Sequence, residues 1–207
     1  MRDRHPLTRR ASEFAALQKL QELSELLWLV EEHAPKTVCE IGTYAGGTLY
    51  CFCRLAQPDA TIVSIDKPMG RFGGGYTDER AEEIQKLFPR EQQTVTLIRE
   101  DSHLPATREQ LEGILGGAQL DLLFIDGDHT YEGVRSDFEM YSPMVRAGGM
   151  VGFHDILDHN PDSGCEVSTY WNEIKDDYEH VELAVAPYRW GGIGVLWKKS
   201  VGESDAS

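Results

Sequence analysis

Positive charge is scarce in this chain. Twenty Lys and Arg stand against thirty-five Asp and Glu among 207 residues, a net charge of −15. Four arginines and one aspartate fall in the first ten residues, so the remainder carries −18. Such a body is repelled by nucleic-acid backbones and by anionic bilayers, which excludes a general nucleic-acid binder and gives a membrane surface no role. Cysteine is sparse too: Cys39, Cys51, Cys53 and Cys165 form no C-x-x-C pair. They read as reduced thiols of a cytoplasmic protein and not as a disulfide framework. No apolar run approaches the roughly eighteen residues of a membrane span, and the basic N-terminus lacks the apolar stretch of a secretory signal. Internal repeats, low-complexity tracts and long linkers are missing as well. What remains is an ordinary soluble composition, 41% hydrophobic and 27% charged. A chain of this length buries roughly 70% of its unfolded surface and needs no covalent staple.

The ends are polar, and residues 1–10 and 200–207 read as flexible tails around a single domain over 11–199. Phe14, Leu17, Leu20, Leu23, Leu27 and Val30 recur at spacings of three and four, which predicts one amphipathic helix over 11–33, ended by Pro35. This helix could cover the domain or pair with a second copy in a homo-oligomer. Beyond it, strand-like runs at 37–42, 60–66, 94–100, 120–126 and 149–155 alternate with helix-like runs at 46–56, 77–88, 106–115 and 130–141. That alternation predicts an α/β fold, a doubly wound and mainly parallel sheet covered on both faces. The final pattern differs. A helix over about 166–178 precedes two strand-like runs, 181–186 and 194–197, joined through Pro187, Gly191 and Gly192. They predict a C-terminal antiparallel hairpin.

In open α/β sheets, ligands bind beyond the strand C-termini. After the first strand, Glu40-Ile41-Gly42-Thr43-Tyr44-Ala45-Gly46-Gly47-Thr48 supplies an acidic strand end, a glycine turn and a helix start. Glycine permits close approach of the backbone to a ligand. The dinucleotide fingerprint needs G-x-G-x-x-G, and no G-x-G is present; with Glu40, the spacing favours a cationic or zwitterionic ligand over a pyrophosphate. Asp66 ends the second strand, where a carboxylate can accept both hydroxyls of a ribose. Asp101 and Ser102 follow the third and could hold an adenine amine. Each of these residues alone is an ordinary turn residue; it is the set, at successive strand ends, that points to a site.

These features, with the closing hairpin, resemble a class I S-adenosylmethionine-dependent methyltransferase over about residues 36–198. The resemblance implies a seven-stranded Rossmann-like methyltransferase fold, with Gly42, Thr43 and Gly46 at the methionine end of the cofactor, Asp66 on the ribose, and Asp101 and Ser102 by the adenine. The stretch Lys67 to Tyr76 resembles the Gly-rich loop of a bacterial subgroup related to cephalosporin-hydroxylase-like and macrolide sugar O-methyltransferase proteins. In chemical terms, three glycines beside Arg71, Phe72 and Tyr76 suggest a mobile flap over a ligand.

The runs FIDGDHTYEG (124–133) and GFHDI (152–156) end two apolar strands in Asp126 and in His154-Asp155. On neighbouring strands, these side chains can converge on one ion. Carboxylates suit a hard divalent cation such as Mg²⁺, and the imidazole of His154 also tolerates Mn²⁺, Fe²⁺ or Zn²⁺. In metal-dependent O-methyltransferases an Asp after the fourth strand and two adjacent residues after the fifth bind the ion, so the resemblance implies Asp126, His154 and Asp155 as ligands. That pair is more often two oxygen-bearing residues, and His154 departs from it. His129 stands where the macrolide sugar enzymes carry a histidine, which implies a general base near neutral pKa, with Asp126 as its catalytic partner. Asp128 could orient His129. His159 reads as a surface-loop residue within reach of an acceptor pocket, and His5, His33, His103 and His180 show no partner at a meaningful spacing. Tyr170, Trp171, Tyr188 and Trp190 suit either an acceptor site or core packing.

The expected activity is divalent-metal-assisted transfer of a methyl group from S-adenosylmethionine to a hydroxyl of a small molecule, such as a sugar of a natural product or glycan. Two other readings stand beside it: a nicotinamide-dependent oxidoreductase on a Rossmann-like sheet, and a non-catalytic nucleotide-binding module.

Overall fold

β-Branched and apolar residues dominate the strands, and each strand sends alternate side chains to opposite faces. The computed structural model describes residues 3–90, 92–184 and 190–199. Its strands are β1 (Thr37–Ile41), β2 (Thr61–Ile65), β3 (Thr94–Ile98), β4 (Leu120–Ile125), β5 (Val145–His154), β6 (Glu179–Leu183) and β7 (Ile193–Trp197). They form one seven-stranded sheet in the order β3-β2-β1-β4-β5-β7-β6. The first five are parallel to one another, whereas β7 runs antiparallel to both β5 and β6. The doubly wound sheet and its closing hairpin are therefore as expected. Residues 185–189, which include Pro187 and Tyr188 of the expected connection, lie outside the described residues, as does the expected tail 200–207.

Two apolar layers sandwich the sheet. Val38, Leu122 and Phe124 face a cluster containing Leu23, Leu27, Leu49, Phe52 and Ile84. Cys39, Ile41, Leu123 and Ile125 face the opposite cluster, with Leu111, Val134, Phe138 and Trp171. The crossover helices α3 (Gly47–Leu55), α4 (Asp78–Leu87), α5 (Pro105–Leu115) and α6 (Tyr131–Tyr141), with α7 (Val167–Ile174) after β5, supply these layers. Local chemistry sets several of their ends. Thr77 and Thr130 accept from the Arg80 and Gly133 amides to cap α4 and α6, and α5 opens on Pro105 and ends at left-handed Gly116. Among the described residues, no helix is long and apolar enough to cross a membrane.

The N-terminal region departs from expectation. In place of one helix over 11–33 there are two short ones, Leu7–Glu13 and Leu20–His33. Ala15 adopts a left-handed φ of 56°, and the Ala16 amide turns back to the Ala11 carbonyl at 2.9 Å. The apolar spacing misleads because Leu17 faces outward, 62% exposed. Phe14 anchors the break against Tyr50 and Phe88, with ring centroids 4.7 and 5.1 Å away, and Ala16 rests on Gly47, where a Cβ would come within 2.6 Å. Nor are residues 5–10 a flexible tail. His5 and Thr8 are buried, the His5 amide donates to Ser24 Oγ at 2.7 Å, and the His5 ring packs edge-on to Trp28.

Trp171 shows how the hairpin is held. It is fully buried, donates from Nε1 to Glu182 Oε1 at 2.7 Å, and lies so close under β7 that a Cβ at Gly194 would come within 2.6 Å of its ring. Trp171→Ala is expected to cost about 3–5 kcal/mol, read as a lower urea midpoint with an unchanged slope.

Candidate functional site

Strand order reverses between β1 and β4, and the crevice beyond their C-terminal ends is where a doubly wound sheet leaves room for a ligand. A cavity opens there. Its wall includes Gly42, Thr43, Asp66, Asp101, Ser102, Asp126 and His129. Gly42 has φ 84° and sits where any Cβ would collide with the Asp126 carbonyl, so glycine is required for the two loops to touch. Gly46, also left-handed at φ 89°, precedes the first turn of α3.

Asp66 accepts from the amides of Thr43 (3.1 Å), Tyr44 (2.6 Å) and Gly75 (2.8 Å). Burial pushes its pKa up, and these three amides work against that shift. In this state the carboxylate pins the glycine loop to the Lys67–Tyr76 segment, which leaves about one of its four acceptor positions open; the two-hydroxyl grip on a ribose needs the Gly75 bond released. Glu40 differs from expectation. It is fully buried beneath the loop and does not line the cavity. Burial pushes its pKa up to about 8 against hydrogen bonds from Thr48 and Thr43, so near neutral pH it is largely uncharged. Its work is to hold Thr43, whose hydroxyl donates to Oε2 at 2.7 Å. Asp101 pairs with Lys67 Nζ at 2.6 Å, and Ser102 lies next to it, mostly buried.

The strand ends of β4 and β5 bring Asp126, His129, His154 and Asp155 together, and of these Asp126 and His129 line the same cavity. Asp126 Oδ1 is 3.0 Å from His154 Nδ1 and 3.3 Å from His129 Nε2, and His129 Nδ1 is 3.2 Å from Asp155 Oδ2. Burial alone would raise the pKa of Asp126; the charges of His154 and His129 and their hydrogen bonds bring it down to about 2. For His129, burial opposes the charge, but hydrogen bonds with Asp126, Asp155 and Cys165 outweigh it and raise its pKa. Two carboxylates, Asp126 and Asp155, thus both favour its protonated form. Asp128 does not orient it. Its Oδ1 accepts from the amide and hydroxyl of Thr130, fixing the turn into α6.

Asp126, His154 and Asp155 offer ligand atoms within 4.8 Å of one another. His154 Nε2 is buried without a hydrogen-bond partner among the described residues, and Asp155 Oδ1 faces His159 Nε2 at 3.2 Å and His154 Nδ1 at 3.5 Å. Two carboxylates and an imidazole with an unpartnered nitrogen fit a divalent cation.

Three contributions are absent from the sequence reading. Gln18, from the break between the N-terminal helices, donates from Nε2 to Asp126 Oδ2 at 2.6 Å. His159 is only 14% exposed, with Nε2 3.2 Å from Asp155 Oδ1, and belongs to the cluster and not to an open surface loop. His103 lies between Asp101 and fully buried Asp137, 3.3 Å from the latter. The Gln18–Asp126 and His103–Asp137 pairs join distant parts of the chain, and no local motif marks them, whereas His159 stands four residues after Asp155, a spacing the sequence does show; for Gln18 the one available signal is the misplaced Leu17 in the apolar spacing. The Gly-rich segment does cover the site, with Phe72 stacked on His129 at 4.8 Å and 13°.

Gln18→Leu removes a hydrogen bond to a charged acceptor, a change of about 1.5–3 kcal/mol. Amide exchange in the peptide spanning 14–19 is expected to speed up about 10- to 100-fold. The pKa of His103 is raised, chiefly by its hydrogen bond with Asp137. A raised histidine stabilises most below its unfolded pKa, near 6.5, and loses that contribution as pH rises through the folded value. Asp137→Asn is thus expected to destabilise by about 1–2 kcal/mol at pH 6 and by less at pH 9, measured by urea titration.

The sequence profile of the methyltransferase domain matches residues 39–156, more than half of the chain. The uncharacterized protein y4gI of Sinorhizobium fredii is 29% identical over 182 residues, covering 86% of this chain but only 19% of that protein. Among solved structures, the O-methyltransferase TomG of Streptomyces achromogenes, involved in tomaymycin synthesis and bound to S-adenosylmethionine, superposes with a TM-score of 0.64 at 16% identity, over 95% of this chain and 91% of that one. MycE, a methyltransferase of the mycinamycin pathway solved with Mg, S-adenosylhomocysteine and mycinamycin VI, superposes with a TM-score of 0.65 at 15% identity, over 99% of this chain and 57% of that one. At such identities the superpositions speak for the fold, while the profile match speaks for the family. With its glycine turn, its strand-end carboxylates and its sheet order, this chain belongs to the methyltransferase-domain family.

Proposed function

We propose that the protein is an S-adenosylmethionine-dependent O-methyltransferase, assisted by a divalent cation, acting on a hydroxyl of a small molecule. The observation that carries this reading is one cavity lined by two chemically different sets of residues. Gly42, Thr43, Asp66, Asp101 and Ser102 are the set suited to a nucleoside and amino-acid donor, and Asp126 and His129 are the acid–histidine set. In the reaction the acceptor oxygen attacks the sulfonium methyl carbon, a C–O bond forms, and the C–S electron pair stays on sulfur. Such displacement depends on positioning and on a dry, polar wall more than on covalent help.

The residues divide the task. Gly42 allows the closest approach of the backbone, and Thr43 and Gly46 shape the methionine end. Asp66 accepts from the ribose once the Gly75 amide lets go. Asp101 and Ser102 face the adenine. Asp126, His154 and Asp155 would hold the cation, with Mg²⁺ favoured by the oxygen donors and Mn²⁺ or Fe²⁺ tolerated by the imidazole. A bound cation would orient and acidify the acceptor hydroxyl and draw carboxylate charge away from His129. His129 can take the hydroxyl proton only as neutral imidazole, so its proton must leave before it acts. The likeness to MycE and to macrolide sugar enzymes favours an alcohol acceptor, such as a sugar of a natural product.

The test is calorimetry with S-adenosylmethionine and S-adenosylhomocysteine. Binding in the micromolar range is expected, weakened about 10- to 100-fold by Asp66→Ala through loss of hydrogen bonds to a charged acceptor. Chelation is expected to stop methyl transfer to small hydroxylated acceptors, and Mg²⁺ to restore it. A folded protein that binds neither sulfur compound rules the reading out.

A further inference from the structure

Beside the oxygen-rich set lies a second and softer one. His129, Asp155 and Cys165 also offer ligand atoms within 4.8 Å of one another. We propose that these three side chains form a binding site for a thiophilic divalent cation of the zinc class, overlapping the first set at Asp155, and that its occupation silences His129.

The fold holds this trio deliberately close. The Glu166 amide donates to the His129 carbonyl at 2.7 Å, and the Glu166 carboxylate accepts from the Tyr131 amide at 3.2 Å. These two bonds tie the residue after Cys165 to both sides of the turn into α6. On the preceding side the Cys165 amide donates to Ser163 Oγ at 3.1 Å, and Asn160 caps the short turn at 161–163. Phe72 covers one face of the His129 ring, but imidazole binds metals through in-plane lone pairs, so the stacking leaves its edges available. His129 Nδ1 and Asp155 Oδ2 are 3.2 Å apart. Two ligands about 2.05 Å from one tetrahedral ion stand about 3.3 Å apart, so this pair is already near the required separation.

Donor chemistry separates the two sets. Asp126, His154 and Asp155 give two oxygens and one nitrogen, which suit a hard ion. His129, Asp155 and Cys165 give nitrogen, oxygen and sulfur, and a thiolate shifts preference toward Zn²⁺. Three protein ligands leave a fourth position for water or a ligand. Of the four cysteines, Cys165 alone is partly exposed; Cys39, Cys51 and Cys53 are buried.

Binding takes the Cys165 sulfur as thiolate, releasing its proton, and the Nδ1 lone pair of His129. With Nδ1 on the ion, His129 keeps only an N–H at Nε2, directed at Asp126, and has no lone pair for an acceptor proton. The site itself stands on geometry; the loss of methyl transfer rests on the function proposed above.

Co²⁺ makes the test visible, because thiolate ligation gives a near-ultraviolet charge-transfer band. The whole protein titrated with Co²⁺ is expected to show this band and to lose it on addition of Zn²⁺. The band is expected to vanish in Cys165→Ser and to persist in Asp126→Asn. No band in the unaltered protein, a band that survives Cys165→Ser, or one lost in Asp126→Asn overturns the proposal. Calorimetry with S-adenosylmethionine runs alongside. Unaltered binding in Cys165→Ser shows that the variant is folded, and failure of the unaltered protein to bind counts against the methyltransferase reading without touching the cobalt result.

Discussion

A carboxylate taken out of water needs positive charge or hydrogen-bond donors around it, and the architecture of this site follows from how Asp126 meets that need. It sits at the end of β4, next to the strand-order reversal. His154 reaches it from β5, His129 from the turn into α6, and Gln18 from a segment 108 residues earlier in the chain. Three parts of the molecule thus converge on one side chain. Gln18 lies in the break between the two N-terminal helices, just after the left-handed turn at Ala15.

The resting charge state follows from the same cluster. Asp126 and Asp155 both border His129, and together they hold its proton firmly. A positive charge that enters between these carboxylates would compete with that proton, which links ion binding to the charge of His129. Asp66 plays a comparable part elsewhere in the cavity wall. Its three backbone donors come from two loops, so the glycine turn and the Gly-rich flap are joined through the same carboxylate that a ribose would use.

Much of this was legible in the sequence. Alternating apolar runs give the strand and helix order, since side-chain periodicity is local. The residues just past each strand mark the ligand edge, because a parallel sheet sends all of those ends the same way; Gly42, Asp66, Asp101, Asp126 and the His154-Asp155 pair were found on that ground. Glu40 was read as facing a ligand because position along a strand does not reveal which carboxylate lies under a loop and which lies in the opening. The spacing of His129 from Asp126 says nothing of the second acid, Asp155, on its other side.

The sequence by itself determined the fold class, the hairpin that closes the sheet and the strand-end residues of the cavity, all of which follow from patterns within a few residues. Only the tertiary structure decided that Gln18 grips Asp126, that buried Asp137 faces His103, and that His159 and Cys165 join the acid–histidine cluster. Apart from the His159–Asp155 contact, which is local, those contacts exist because the order of strands places distant turns side by side. The energy of a buried charge depends on what surrounds it in space, and chain position does not encode that.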